Sequence, residues 1–197
     1  TNLTQDHLDY HKNIAGYFGE KARLVELVAP NGTLVVNGDD PAWAALDTRG
    51  RSVTTYAVDA HADVRAEKVR LSADGSSFDL VVNGATREVA LPLLGRYNVE
   101  NALAAAAVGA EYGLDIDQLA AGLSTVPQVS GRLEAVVTSP FSVLIDFAHT
   151  ADALDGVLAA VRPLASGRLI VVFGAGGDRD AGKRRPMAEA VARFADV

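Results

Sequence analysis

FGAGGDRDAGKRRP, residues 173–186, follows directly on the all-apolar run LIVVF of residues 169–173. A short apolar run of that kind is a buried strand. It opens into Gly174, Gly176 and Gly177 and then into the helical pattern of residues 183–195, the strand-turn-helix order of an α/β protein. Glycines at a strand's carboxyl end let backbone N–H groups approach an anion closely, and Arg179, Lys183, Arg184 and Arg185 add positive charge there. Small acidic or phosphorylated ligands suit such a turn, which is otherwise an ordinary strand-to-helix connection with solvated charges.

Working outward, residues 141–147 form a second strand and residues 152–161 a helix. The region beyond residue 131 therefore reads as a parallel βαβα unit with a right-handed crossover. Residues 195–197 look like the lead into a further strand, and both ends of the chain read as cut from a longer protein. Upstream, the first thirty residues are helical. They comprise a short helix through His11, then an apolar stripe of Ile14, Tyr17, Phe18, Leu24, Val25 and Val28 on which Lys21 falls. Residues 32–37 are a short strand and Asp39-Asp40-Pro41 a helix start. Residues 51–58 are another strand. Runs at 64–71, 77–82 and 87–91, separated by Asp74-Gly75 and Asn83-Gly84, form an antiparallel meander. Residues 98–112 and 116–123 are helices, and the break at residues 127–131 divides the chain into units 1–131 and 132–197.

Composition bounds the possibilities. The chain has 197 residues, 49% hydrophobic and 22% charged, with a formal charge of −7 and no cysteine. This is a globular composition without a disulfide framework or thiolate chemistry. No run approaches a membrane span and no signal peptide is evident, so a cytoplasmic protein is expected. The acidic balance argues against a general nucleic-acid surface.

Seven segments, in this order and spacing, carry a resemblance: TNLTQDHLDYH (1–11), GEKARL (19–24), VVNGDDP (35–41), GRYNVENALAA (95–105), SGRLE (130–134), DFAHTADAL (146–154) and GAGGDRDAGKRRPM (174–187). Together they resemble the Mur ligase family, most closely its MurE type, over nearly the whole chain. The resemblance implies an α/β fold. Units 1–131 and 132–197 would be the later part of a P-loop-type central ATPase domain with an antiparallel meander, and the opening of a Rossmann-like C-terminal domain. It also implies a cytoplasmic, monomeric, ATP- and magnesium-dependent enzyme. That enzyme adds the third amino acid, meso-diaminopimelate or L-lysine, to UDP-N-acetylmuramoyl-dipeptide in peptidoglycan synthesis.

Residue by residue, the resemblance makes His7 a magnesium ligand and Lys21 its carbamylated partner. From the residues alone, His7 is equally a surface or capping feature, and Lys21 a lysine carrying its ammonium to water along an apolar stem. Asn101 is similar to the amide that reads adenine, with Asn98 beside it; both are otherwise capping amides of an Ala-rich helix. Arg132 resembles the arginine that reaches ATP from the linker, the alternative being an ion pair with Glu134. Asp146 and His149 match residues near the ribose and phosphates. Phe147 and Ala151 depart from the family's tyrosine and proline. Arg179 resembles the guanidinium that grips the incoming amino acid's carboxylate, a task for a planar two-pronged donor.

The chain has no G-x-x-x-x-G-K-[ST] loop, so this segment alone should not turn over substrate. Competing readings are a folylpolyglutamate or cyanophycin synthetase, a dinucleotide-binding oxidoreductase domain built on residues 174–177, and a non-catalytic nucleotide-binding module. The oxidoreductase reading fares poorly because the turn follows a second strand and no acidic residue ends a strand about twenty positions on to bind a ribose. The Arg-rich, Lys-poor composition suits a GC-rich genome and tilts the third residue toward diaminopimelate.

Overall fold

In the computed structural model, residues 2–3, 13–176 and 181–197 are described. Helices α1 (Ile14–Ala22) and α2 (Leu24–Leu27) lead into a five-stranded sheet of order β1-β2-β3-β4-β5. Its strands are β1 (Thr33–Asn37), β2 (Ser52–Ala57), β3 (Val64–Ser72), β4 (Gly75–Val82) and β5 (Ala85–Leu91). β1 to β3 run parallel, and β3 to β5 form the expected antiparallel meander. Turn chemistry sets the last hairpin. Asn83 and Gly84 both have positive φ, 51° and 81°, the conformation of a two-residue hairpin turn whose twist matches the strands.

α3 (Arg96–Glu111) lies across the sheet, and α4 (Ile116–Ser124) packs beside β5. α3 buries Val99, Ala102, Leu103, Ala106 and Ala107, a spacing that keeps one helical face on the sheet. Against it lie Tyr56, Val64, Phe78, Leu80 and Val89. Asp115 and Gln118 form a reciprocal capping box that starts α4.

The stripe on α1 and α2 is only partly used. Val25 is buried, whereas Ile14 and Leu24 are exposed. These helices instead face an open cavity of about 760 Å³ lined also by Leu34, Val36, Trp43 and Leu46, beside the outer edge of β1. The helix expected at Pro41 is a single 3-10 turn, Pro41–Ala45, capped by Asp40.

The second unit differs from expectation. β6 (Glu134–Val137) and β7 (Val143–Ile145) pair antiparallel, so the expected parallel strand at 141–147 is a short hairpin arm. Residues 169–173 form no strand among the described residues. Among the described residues they have one backbone neighbour: Asp196 N–H donates to the Leu169 carbonyl (2.8 Å) and Val171 N–H to that of Val197 (3.0 Å). A strand ladder needs neighbours as well as an apolar sequence. Residues 195–197 do run along this segment, in keeping with their reading as a strand lead-in. α5 (Ala151–Val161) and α6 (Arg184–Phe194) enclose a small core of Leu154, Leu158, Met187, Ala190 and Val191. No helix among the described residues is long and apolar enough to cross a membrane.

Candidate functional site

Two clusters of polar side chains form where the sequence concentrates its motifs. The first lies at the carboxyl ends of β1 and β2. The buried Asn37 donates from Nδ2 to Asn2 Oδ1 (2.6 Å), and Asn2 Nδ2 donates to Glu100 of α3 (3.4 Å). Asp39 accepts from the N–H groups of Val58, Asp59 and Ala60, fixing the loop after β2, while Asp40 accepts from those of Leu3 and Ala42. Arg96 bridges Asp59 (2.6 Å) and Glu100 (3.4 Å). The Tyr56 phenol, buried and then surrounded by Glu100, Asp39 and Asp40, is pushed up to about 12 and stays protonated.

Lys21 reaches this cluster. Its Nζ donates to the Asn2 carbonyl (3.0 Å) and stands 4.8 Å from the centre of the Tyr17 ring, the contacts of an ammonium on an aromatic face. His7 lies outside the described residues, so its convergence with Lys21 is not observed. The described residues do not by themselves fit a magnesium ion: no group of three or more His, Cys, Asp or Glu among them could hold a metal, and the Lys21 nitrogen is turned to the Asn2 carbonyl and the Tyr17 ring.

The second cluster joins the two units at the start of α3. Gly95 caps the helix at φ 89°, where a Cβ would meet Tyr97 at 3.2 Å, Leu133 at 3.4 Å and Ala160 at 3.5 Å, so two residues of the second unit approach it closely. Asp146 organises the junction. Its Oδ2 accepts from the Leu133 N–H (2.8 Å) and the Tyr97 hydroxyl (3.2 Å), and its Oδ1 from the Ala148 N–H (2.8 Å). The half-buried Tyr97 phenol is held above its ordinary range by burial and then by Asp146, so it remains a donor.

Arg132 stacks its guanidinium 5.4 Å from the centre of the Phe147 ring, which meets His149 edge-on at 5.2 Å. The ion pair with Glu134 is not formed. Glu134 instead accepts from the Gly131 N–H and the Ser130 hydroxyl, both at 2.9 Å, and these bonds hold its carboxyl below the usual range. His149 Nδ1 faces the Phe147 carbonyl at 3.1 Å. A carbonyl only accepts, so Nδ1 carries a proton and Nε2 is left for another partner.

Of the two α3 asparagines, Asn98 is buried and donates to the Leu94 carbonyl at 2.7 Å, sealing the helix entry, while Asn101 is exposed. The structure thus joins Asp146 to the first turn of α3 through Tyr97, sets Arg132 and His149 on the Phe147 ring beside it, and leaves Lys21 in the other cluster. Arg179, like His7, lies outside the described residues. Tyr97 went unnoticed in the sequence because its partner is 49 positions away; a lone tyrosine at a helix start carries no local signal.

Comparison with known proteins now bears on this geometry. Residues 1–109 match the Mur ligase middle domain, and residues 131–197 the Mur ligase glutamate ligase domain. The chain belongs to the Mur ligase family. It is 48% identical, over its whole length, to the UDP-N-acetylmuramoyl-L-alanyl-D-glutamate--2,6-diaminopimelate ligase of Geobacter sulfurreducens, and spans 40% of that protein. A solved structure of a ligase of the same name, 33% identical, superposes on 98% of this chain and 41% of its own, with a TM-score of 0.71. The fold is also shared with MurF of Acinetobacter baumannii, at a TM-score of 0.85 and 20% identity, over all of this chain and 43% of that one. The mixed α/β architecture is that of the Mur ligases.

Proposed function

We propose that this chain is the nucleotide- and amino-acid-handling part of an ATP-dependent ligase that joins meso-diaminopimelate to UDP-N-acetylmuramoyl-L-alanyl-D-glutamate. Diaminopimelate is preferred to lysine because the similar ligases carry it in their names. ATP phosphorylates the terminal carboxylate of the dipeptide, the amine of the incoming amino acid attacks the acyl phosphate, and phosphate leaves from the tetrahedral intermediate. Since the chain covers about 40% of these relatives and lacks a Walker-type loop, the phosphate-binding loop and the uridine-nucleotide domain belong to the longer protein.

Within the chain, Arg132 supplies positive charge to the nucleotide, and His149 offers Nε2 to it. Three hydrogen bonds onto Asp146 leave about one of a carboxylate's four acceptor positions for a ribose hydroxyl. Asn101 is the exposed amide for adenine, with Asn98 holding the helix start beneath it. Arg179 takes the amino-acid carboxylate. Lys21 and His7 are assigned to the magnesium side of the reaction, Lys21 as a carbamate that replaces its present cationic contacts. Magnesium, where bound, neutralises charge on the transferring phosphoryl group. The units 1–131 and 132–197 are the later part of the central domain and the opening of the C-terminal domain of this enzyme, which is cytoplasmic and monomeric.

The observation that supports this reading best is the bond of Asp146 to Tyr97 at the start of α3, with Arg132 and His149 on the neighbouring Phe147 ring, in a chain matched throughout by ligases. The test is phosphate release by the full-length protein. Release is expected only with ATP, the UDP-muramoyl dipeptide and diaminopimelate together, and Lys21→Ala should lower kcat at least ~100-fold, the scale for losing a group that stabilises transition-state charge. Release without the dipeptide, or wild-type kcat in Lys21→Ala, would reject the respective assignment.

A further inference from the structure

The hydroxyl of Tyr97 is the one side-chain donor to Asp146 recorded among the described residues; the carboxylate's other two donors are backbone N–H groups at Leu133 and Ala148. Those two belong to the same unit as Asp146 and turn with it, whereas Tyr97 belongs to α3, anchored in the sheet unit through Val99, Ala102 and Leu103. Tyr97 is therefore the side chain that ties the orientation of this carboxylate to the other unit. The surroundings keep it in place: Gly95 brings Leu133 and Ala160 against the same helix start, and Leu133, at 2% exposure and φ 46°, is held in a left-handed conformation just where its N–H meets Asp146.

We propose that Tyr97 is a positioning residue for the nucleotide, its hydroxyl fixing the Asp146 carboxylate across the junction so that the remaining acceptor position faces a sugar hydroxyl of the bound nucleoside triphosphate. Removing that single oxygen leaves Asp146 held from its own unit only. The carboxylate keeps its charge and loses its registration with α3. Affinity for the nucleotide falls, while the chemistry at the distant phosphoryl group is largely preserved. This inference rests on the ATP-ligase reading.

The experiment uses the full-length ligase with Tyr97→Phe, which removes one oxygen and keeps the ring. The ATP KM is expected to rise about 5- to 15-fold, the upper end of the range for one ordinary hydrogen bond because the bond acts through Asp146, with kcat falling less than about threefold and the amino-acid KM unmoved. In an Asp146→Asn background the same change should alter the ATP KM less than about twofold, because the two residues act through one bond. Thermal unfolding is followed for each variant. A merely structural tyrosine would lower Tm and leave the ATP KM at its wild-type value, which overturns the inference. So would equal, additive effects in the two backgrounds. A wild-type protein without ATP-dependent ligation overturns the functional reading and this inference with it, whereas an active enzyme indifferent to Tyr97→Phe overturns the inference alone.

Discussion

The sheet unit and the unit after residue 131 solve the same problem with unequal means. In the first, a five-stranded sheet and a 16-residue helix bury Phe78, Leu80, Leu103, Val89 and Val99 to 1% exposure or less. In the second, two helices share a core of five buried residues, and Ile170 and Val172 stand 56% and 95% exposed. The same kind of apolar strand sequence occurs in both, but only in the first does it find neighbours on each side. Apolar character therefore marks a segment that wants burial, and the partner available decides whether a sheet forms.

The sharpest way to break this contrast is by truncating one core leucine in each unit. Leu80→Ala should cost about 3–5 kcal/mol, because a fully buried site in a dense core relaxes little. Leu158→Ala should cost about 2–3 kcal/mol, since its smaller core can collapse onto the gap. Urea unfolding followed by the fluorescence of Trp43, which packs near Phe18 in the first unit, reads the first loss directly. An equal response to both substitutions would show that the two units unfold as one.

A smaller effect separates the regions by acid. Asp63 in the sheet unit accepts from the Thr55 N–H and hydroxyl, and Glu134 at the junction from Gly131 and Ser130; both carboxyls are held below their ordinary values. A depressed folded pKa stabilises the protein above the unfolded pKa, and that stabilisation is lost as pH falls through the folded value. Asp63→Asn and Glu134→Gln should each lower Tm at pH 7 and flatten its decline in acid, below the ordinary value of 3.8 for Asp63 and of 4.5 for Glu134. For Glu134→Gln, the change should be confined to the second unit and its junction. A Tm unchanged at pH 7 would mean these bonds contribute nothing there.

The contrast also explains what was legible in the sequence. Asp74-Gly75 and Asn83-Gly84 punctuate the meander, and periodic alanines and valines mark α3, because turn and helix signals are local. The antiparallel pairing of β7 with β6 was not legible, since residues 141–147 read the same whichever way a partner runs. At the site, the DFAHT and SGRLE segments pointed to Asp146, His149 and Arg132. That Glu134 would close the Ser130-Gly131 turn and leave Arg132 to Phe147 depended on geometry across the junction. Asn98 appeared as a ligand-facing amide, yet the buried Leu94 carbonyl needed a donor and Asn98 supplies it.

The central claim is that the nucleotide is gripped where the two units meet. Its most direct test is the ATP KM of the full-length ligase carrying Arg132→Ala. The account predicts a rise of at least ~10-fold, the loss expected on removing a charged hydrogen-bond donor, with the amino-acid KM little changed. An ATP KM equal to that of the wild type would contradict it.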